Sequence, residues 1–230
     1  MQANSPDRFA QVEAAATSLF DVPVAVVAND PRRPQPDLLD GEETHLTRAF
    51  PNRIREFSAG RAAARDGMAR LDMPPQVLMA DDDRAPVWPE GVQGSISHTR
   101  TLCVAGITTR ARAIGIDIED NSDLDADLVG NICTQAEIAR IQGPHMLRLA
   151  KLIFSAKEAA YKAQYPLTKA LFEFHYLDVT LDYRDQSFIA EFVGPAGEFQ
   201  TGDQLRGRFG HAADHLITGV TIAQADASGI

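Results

Sequence analysis

The stretch Ile114-Gly115-Ile116-Asp117-Ile118-Glu119 decides how the rest of the chain is read. Alternate residues of a strand share a face, so the three isoleucines point into a core while Asp117 and Glu119 project together on the other side. Two carboxylates that close repel, and each raises the other's pKa unless a cation lies between them. Hard carboxylate oxygens suit Mg²⁺, which keeps several waters and completes its shell with phosphate oxygens. Read alone, the hexapeptide is better described as a half-exposed strand carrying solvated acids.

Working outward, residues 93–98 and 102–108 read as strands just before the 113–119 strand, and an acidic loop, 120–127, follows it. Upstream, a helix is predicted from Ser5-Pro6-Asp7 to Phe20, then a short buried strand over 22–28 and a proline-rich connection over 31–36. A second helix spans 52–71, with Asn52 as its cap, Ile54, Phe57, Ala64 and Met68 on its apolar side, and Pro74-Pro75 beyond its end. Residues 81–94 are loop-like and hold the sole tryptophan, Trp88, between Pro86 and Pro89; Asp81-Asp82-Asp83 reads as a solvated turn. Downstream, Gly143-Pro144 opens the longest helix, which runs to Tyr165 and is ended by Pro166. Strands are predicted over 176–181, 187–193, 204–209 and 216–223, with a frayed polar tail from Gln224. The pattern is α+β with two halves and a break near 119–127.

The chain has 230 residues and 44% hydrophobic content, enough for one sizeable core or two small ones. No apolar run is long enough to span a membrane, and the N-terminal residues lack the basic-then-apolar layout of a secretory signal. The two cysteines, Cys103 and Cys133, are too few for a disulfide framework and have no metal-ligand spacing, so a reducing, cytoplasmic setting is expected. A formal net charge of −10 argues against nucleic-acid binding through bulk charge. Yet Arg48, Arg53, Arg55, Arg61, Arg65 and Arg70 crowd one stretch. That cluster fits a small polyanion or a solvated helix face equally well.

Two further segments carry chemistry. In Phe154-Ser-Ala-Lys-Glu-Ala-Ala-Tyr-Lys162, Glu158 and Lys162 are one helical turn apart with Tyr161 beside them. Small apolar residues surround these ionisable groups, as in a helix packed closely against something. If the helix packs near Asp117, Glu158 becomes a third carboxylate for one ion, and Lys157 and Lys162 become cations for phosphate oxygens. In Gly94-Ser-Ile-Ser-His98, Ser95, Ser97 and His98 offer donors after a glycine that lets a ligand approach the backbone. The chain has neither a nucleophile elbow, nor a Walker A loop, nor a dinucleotide-binding glycine fingerprint. His211 and His215 are four apart, but they sit in a turn between strands with no third ligand nearby.

Taken together and in this order, a Gly-Ser-x-Ser-His strand, a Gly-x-Asp-x-Glu strand and a Ser-x-Lys-Glu-x-x-x-Lys helix resemble the 4′-phosphopantetheinyl transferase superfamily. Arg84-Ala-Pro-Val-Trp-Pro89 and the Phe-Ser form of the helix motif look like its two-half monomeric branch, which serves enterobactin-type siderophore synthesis. The resemblance covers roughly residues 48–178. It implies two similar α/β halves, 1–112 and 113–230, with the active site between them. It also implies transfer of 4′-phosphopantetheine from coenzyme A to a serine of an acyl or peptidyl carrier protein, releasing 3′,5′-ADP. By the same resemblance, Asp117, Glu119 and Glu158 hold Mg²⁺ or Mn²⁺ against the pyrophosphate, with Lys162, His98 and Ser97 on the phosphates. Arg53 and Arg61 hold the adenosine 3′-phosphate, Arg84 stands at a neighbouring basic position, and Arg48 fits less well. Glu158 is assigned as a metal ligand first and as the base second, because a dication lowers the pKa of a carboxylate bound to it. The expected partners are coenzyme A and an apo carrier protein, with no nucleic acid and no membrane. A Mg²⁺-dependent phosphotransferase acting on coenzyme A or another nucleotide, and a non-catalytic coenzyme A-binding module, stay open as alternatives.

Overall fold

The computed structural model describes residues 7–46 and 49–224. Ser5, Pro6, Arg48 and the tail beyond Gln224 lie outside the described residues. Helix α1 (Asp7–Thr17) leads to strand β1 (Ala25–Asn29), and helix α2 (Pro51–Ala69) precedes β2 (Gln93–His98) and β3 (Cys103–Thr108). These strands form an antiparallel sheet in the order β1-β3-β2. Strand β4 (Ala111–Asp120) follows, then the short helices α3 (Val129–Ile132) and α4 (Gln135–Arg140), and then the long α5 (Met146–Thr168). The chain closes with β5 (Leu177–Asp182), β6 (Ser187–Phe192), β7 (Gln204–Ala212) and β8 (His215–Ala223). The second sheet has the order β4-β8-β7-β6-β5 and is antiparallel throughout. The architecture is the expected α+β arrangement of two sheets, each backed by one long helix.

Three apolar cores result. One lies between α5 and the second sheet, and another packs α2 against the first sheet. The third draws Val12, Leu19, Val26 and Val104 from one half together with Ile114, Ile116, Ile118 and Ile217 from the other. The isoleucine face of β4 therefore ties the two sheets together. Its opposite face is covered by α5, so Asp117 is buried rather than solvated.

Several boundaries differ from the sequence reading for local reasons. Phe50, with extended backbone, takes the cap position of α2, and Pro51 occupies the first turn; the Asn52 side chain instead accepts from Arg55. Ile54 is exposed. Gly143, with φ of 132°, and Pro144 form a turn ahead of α5, whose first helical residue is Met146. Pro166 does not stop α5, because in the last turn it removes only one backbone donor; Lys169, with φ of 54°, closes the helix by donating its N–H to the Tyr165 carbonyl at 2.9 Å. The short α4 begins with a capping box in which Thr134 and Glu137 bond each other's backbone.

Candidate active site

Three elements converge on Asp117. Strands β2 and β4 are edge strands of different sheets, and serine hydroxyls join them: Ile116 N–H donates to Ser95 Oγ at 3.0 Å and Ile118 N–H to Ser97 Oγ at 3.3 Å. Asp117 is 3% exposed. Its Oδ1 accepts from Ser97 Oγ at 2.8 Å and from Lys162 Nζ at 2.7 Å, and its Oδ2 accepts from Ser155 Oγ at 2.8 Å. Lys162 Nζ also lies 3.0 Å from Ser97 Oγ and donates to the Ile116 carbonyl at 3.3 Å. Thr218 on β8 backs this network by donating to the Ser155 carbonyl at 2.8 Å.

Helix α5 reaches Asp117 because β4 is bare at Gly115. A Cβ there would fall 1.8 Å from the Ala159 carbonyl oxygen, so helix and strand backbones touch. On that side of α5, Lys151, Ser155, Glu158 and Lys162 follow at spacings of four, three and four residues, which is one helical stripe.

The electrostatics are those of crowded carboxylates. Lys151 pairs with Glu119. Burial, then the Asp117 charge, still holds the Glu119 carboxyl above its ordinary value despite that lysine. Burial does the same to Glu158, and the Asp117 and Glu119 charges add to it while Lys162 opposes. A divalent ion would relieve both groups, and the donor set of three carboxylates is hard enough for one. As arranged, the lysines do the neutralising: among the described residues no three His, Cys, Asp or Glu side chains are grouped closely enough to hold an ion. Asp117, Glu119 and Glu158 are the carboxylates that would hold a dication here.

Around this centre, His98 Nε2 stands 3.4 Å from Arg53 Nη1 and 3.8 Å from Glu56 Oε2. Burial lowers the pKa of His98; Arg53 and Lys162 lower it further, against Glu56 and Asp117. Arg61 is buried, donates through Nε to the Leu78 carbonyl at 2.8 Å and lies over the Phe57 ring at 4.2 Å. Burial lowers its pKa to about 10. Of the other clustered arginines, Arg65 pairs with buried Glu42 and Arg70 with Glu13, so both are engaged structurally.

Lys157 requires a correction. Its ammonium is 1% exposed and donates to Glu137 Oε2 and to the Ile132 carbonyl, both at 2.8 Å, within the core beneath α4. The structure turns it to Glu137 and not to Asp117, so it is engaged in the core. Gly94 is likewise not left open for a ligand, since a Cβ there would meet the Trp88 ring at 2.6 Å. Asp81 and Asp83 are not merely solvated: they bond Lys169 and Tyr165 at the end of α5. His215, at the β7–β8 hairpin, is buried with Nδ1 2.7 Å from the Ala213 carbonyl.

Two cavities flank Tyr161. One of about 580 Å³ is bounded by Glu158, Tyr161, Phe172, Phe174 and Leu177. A cleft of about 260 Å³ is lined by Lys162, Arg84, Trp88, Ser95 and Tyr165. The site therefore offers a cation-rich side, an apolar side and a buried carboxylate between them. Sequence reasoning missed Lys151 and Ser155, although the four-three-four polar stripe in an otherwise apolar helix signals both.

Comparison with known proteins matches both segments that build this site. The family described as 4′-phosphopantetheinyl transferase N-terminal domain matches residues 41–108, and the 4′-phosphopantetheinyl transferase superfamily matches residues 113–218. The chain is 31% identical to 4′-phosphopantetheinyl transferase Svp of Streptomyces mobaraensis over 81% of its own length and 79% of that protein's. It is 30% identical to 4′-phosphopantetheinyl transferase PptT of Mycobacterium tuberculosis, covering 90% and 95% of the two chains. It is also 42% identical to enterobactin synthase component D of Escherichia coli over 131 residues, 55% of this chain and 62% of the relative.

Proposed function

This chain belongs to the 4′-phosphopantetheinyl transferase superfamily, and from that premise we propose how its residues divide the work. The enzyme transfers 4′-phosphopantetheine from coenzyme A to a carrier-protein serine. The serine oxygen bonds to the β-phosphorus as the bond to 3′,5′-ADP breaks, and the serine proton must leave. Little covalent work falls to the protein, so positioning and charge neutralisation dominate.

Asp117, Glu119 and Glu158 hold the family's divalent ion, for which Mg²⁺ is the natural choice given hard oxygens and a diphosphate. Bound there, the ion neutralises charge on the pyrophosphate. Lys162, His98 and Ser97 bind phosphate oxygens on the β2 side, Arg53 and Arg61 take the adenosine 3′-phosphate, and Arg84 contacts the nucleotide from a neighbouring position. Glu158 is a ligand first and a proton acceptor second, since a dication bound to a carboxylate lowers its pKa. The apolar cavity beside Glu158 suits the pantetheine arm. The halves divide at 112/113, and residues of both meet at Asp117, so one chain completes the site and the enzyme acts as a monomer. We place it in the cytoplasm, with both its substrates.

The observation that carries these assignments is Lys162 Nζ lying within hydrogen-bond distance of Ser97 on β2 and Asp117 on β4 at once. It puts a cation where three motifs far apart in sequence meet. The test is incubation with coenzyme A, Mg²⁺ and apo carrier proteins, followed by intact mass measurement of the carrier. A peptidyl carrier of siderophore assembly is the first to try, given the likeness to enterobactin synthase component D. Labelling by the native chain and its loss in Asp117→Ala support the assignment. Full labelling by Asp117→Ala refutes the metal role, and 3′,5′-ADP release without carrier labelling favours a hydrolase.

A further inference from the structure

The turn that presents Arg84 is fastened to the end of α5. Within the turn, Arg84 N–H donates to the Asp81 carbonyl at 2.9 Å, Asp81 N–H to the Ala85 carbonyl at 2.9 Å, and Ala85 N–H to Asp81 Oδ1 at 2.8 Å. Arg84 itself has φ of 67°, a left-handed conformation that costs a non-glycine residue energy and that the surroundings must hold. The hold comes from α5. Tyr165 is 4% exposed, and its hydroxyl donates to Asp83 Oδ2 at 2.6 Å, with Asp81 Oδ2 at 3.4 Å. Lys169 Nζ, more exposed, adds a 3.0 Å contact to Asp81 Oδ2. Tyr165 also continues the α5 stripe, three residues beyond Lys162, and lines the same cleft as Lys162 and Arg84.

We propose that Tyr165 is a positioning residue for coenzyme A: by latching Asp83 to the last turn of α5 it fixes where Arg84 stands relative to Lys162. The inference rests on Arg84 contacting the nucleotide, as assigned above. Through the latch, one helix sets the spacing between the pyrophosphate cation and the arginine on the nucleotide side. Tyr165 touches neither reacting atom, so its loss acts on coenzyme A binding and not on turnover at saturation.

The test compares Tyr165→Phe, Asp83→Ala, Arg84→Ala and Tyr165→Phe/Arg84→Ala, using coenzyme A affinity by calorimetry and steady-state kinetics on an apo carrier. Phenylalanine keeps the ring contacts to Tyr161 and Lys169 and removes only the hydroxyl, and thermal melting confirms folding. Tyr165→Phe and Asp83→Ala should each weaken coenzyme A binding by about three- to tenfold, the scale of one buried hydrogen bond, with kcat within about twofold. Arg84→Ala should weaken binding at least as much, and adding Tyr165→Phe to it should change nothing more. If Arg84→Ala binds normally, the arginine assignment fails and the latch proposal with it. If Arg84→Ala is impaired while Tyr165→Phe is not, or the two losses add fully, the latch alone is overturned. A fall in kcat without a change in affinity for Tyr165→Phe also refutes it.

Discussion

Replacing Lys157 by methionine separates the two roles available to that residue. Methionine keeps most of the volume but removes the ammonium, leaving Glu137, which is 0% exposed, without its counter-charge. The carboxylate retains two backbone donors at 2.6 Å, Thr134 N–H and Val179 N–H, whereas the Ile132 carbonyl loses the ammonium as its donor. Breaking a buried pair by removing one partner costs about 3–5 kcal/mol. The two remaining donors put the expected loss near the lower end, about 3 kcal/mol, a large share of the roughly 5–15 kcal/mol that holds a domain together. Glu137→Gln in the same background removes the orphaned charge but can accept from only one of the two backbone N–H groups, its amide nitrogen facing the other, so it should restore little of the loss. Urea titration measures both changes as a shift of midpoint at constant slope. Kinetics on the folded Lys157→Met enzyme should give native kcat and native KM for coenzyme A. Native stability combined with a tenfold rise in that KM would refute the reasoning and return Lys157 to the phosphates.

Glu158→Gln should lower kcat by about 100-fold or more while coenzyme A affinity changes far less; normal turnover with weakened binding would remove the base role. Ser155→Ala deprives buried Asp117 Oδ2 of its donor and should cost about 1–3 kcal/mol of stability. It should also weaken Mn²⁺ binding read by electron paramagnetic resonance, and unchanged values in both would show that Ser155 does not orient Asp117. For His98, burial sets the folded pKa below the unfolded value near 6.5, so within that window the unfolded chain holds more protons. Its contribution to stability is therefore present above about pH 6.5 and lost as pH falls through the folded pKa. His98→Gln should flatten that part of the midpoint-against-pH curve, with Glu56, Arg53, Lys162 and Asp117 left facing the site; an unchanged curve would remove His98 as its source.

Most of the fold was legible because its strands carry strong local signals. The β2 boundaries match the expected 93–98, and the alternation of β4 correctly separated its isoleucines from its acids. The long helix was legible too, though its ends were not, since the effect of Pro166 depends on how many turns follow it. Long-range pairing was what the sequence hid. Nothing local shows that Lys157 turns to Glu137 whereas Lys162, five residues on, turns to Asp117. The difference is which side of α5 faces β4, and that is fixed by Gly115 on another element. Asp83 and Tyr165 are similarly remote, and a run of three acids reads as solvent-facing until its partner helix is placed beside it.

The bare patch at Gly115 has a consequence for how the protein tolerates change. The gap between β4 and α5 is a backbone-to-backbone distance, set by the absence of any spacer. Aliphatic exchanges remote from Ala159 and Ala163, which face Gly115, should alter melting behaviour more than the position of Lys162 or Glu158 relative to Asp117. The spacing of Lys162 and Glu158 from Asp117 thus hinges on a single missing methyl group.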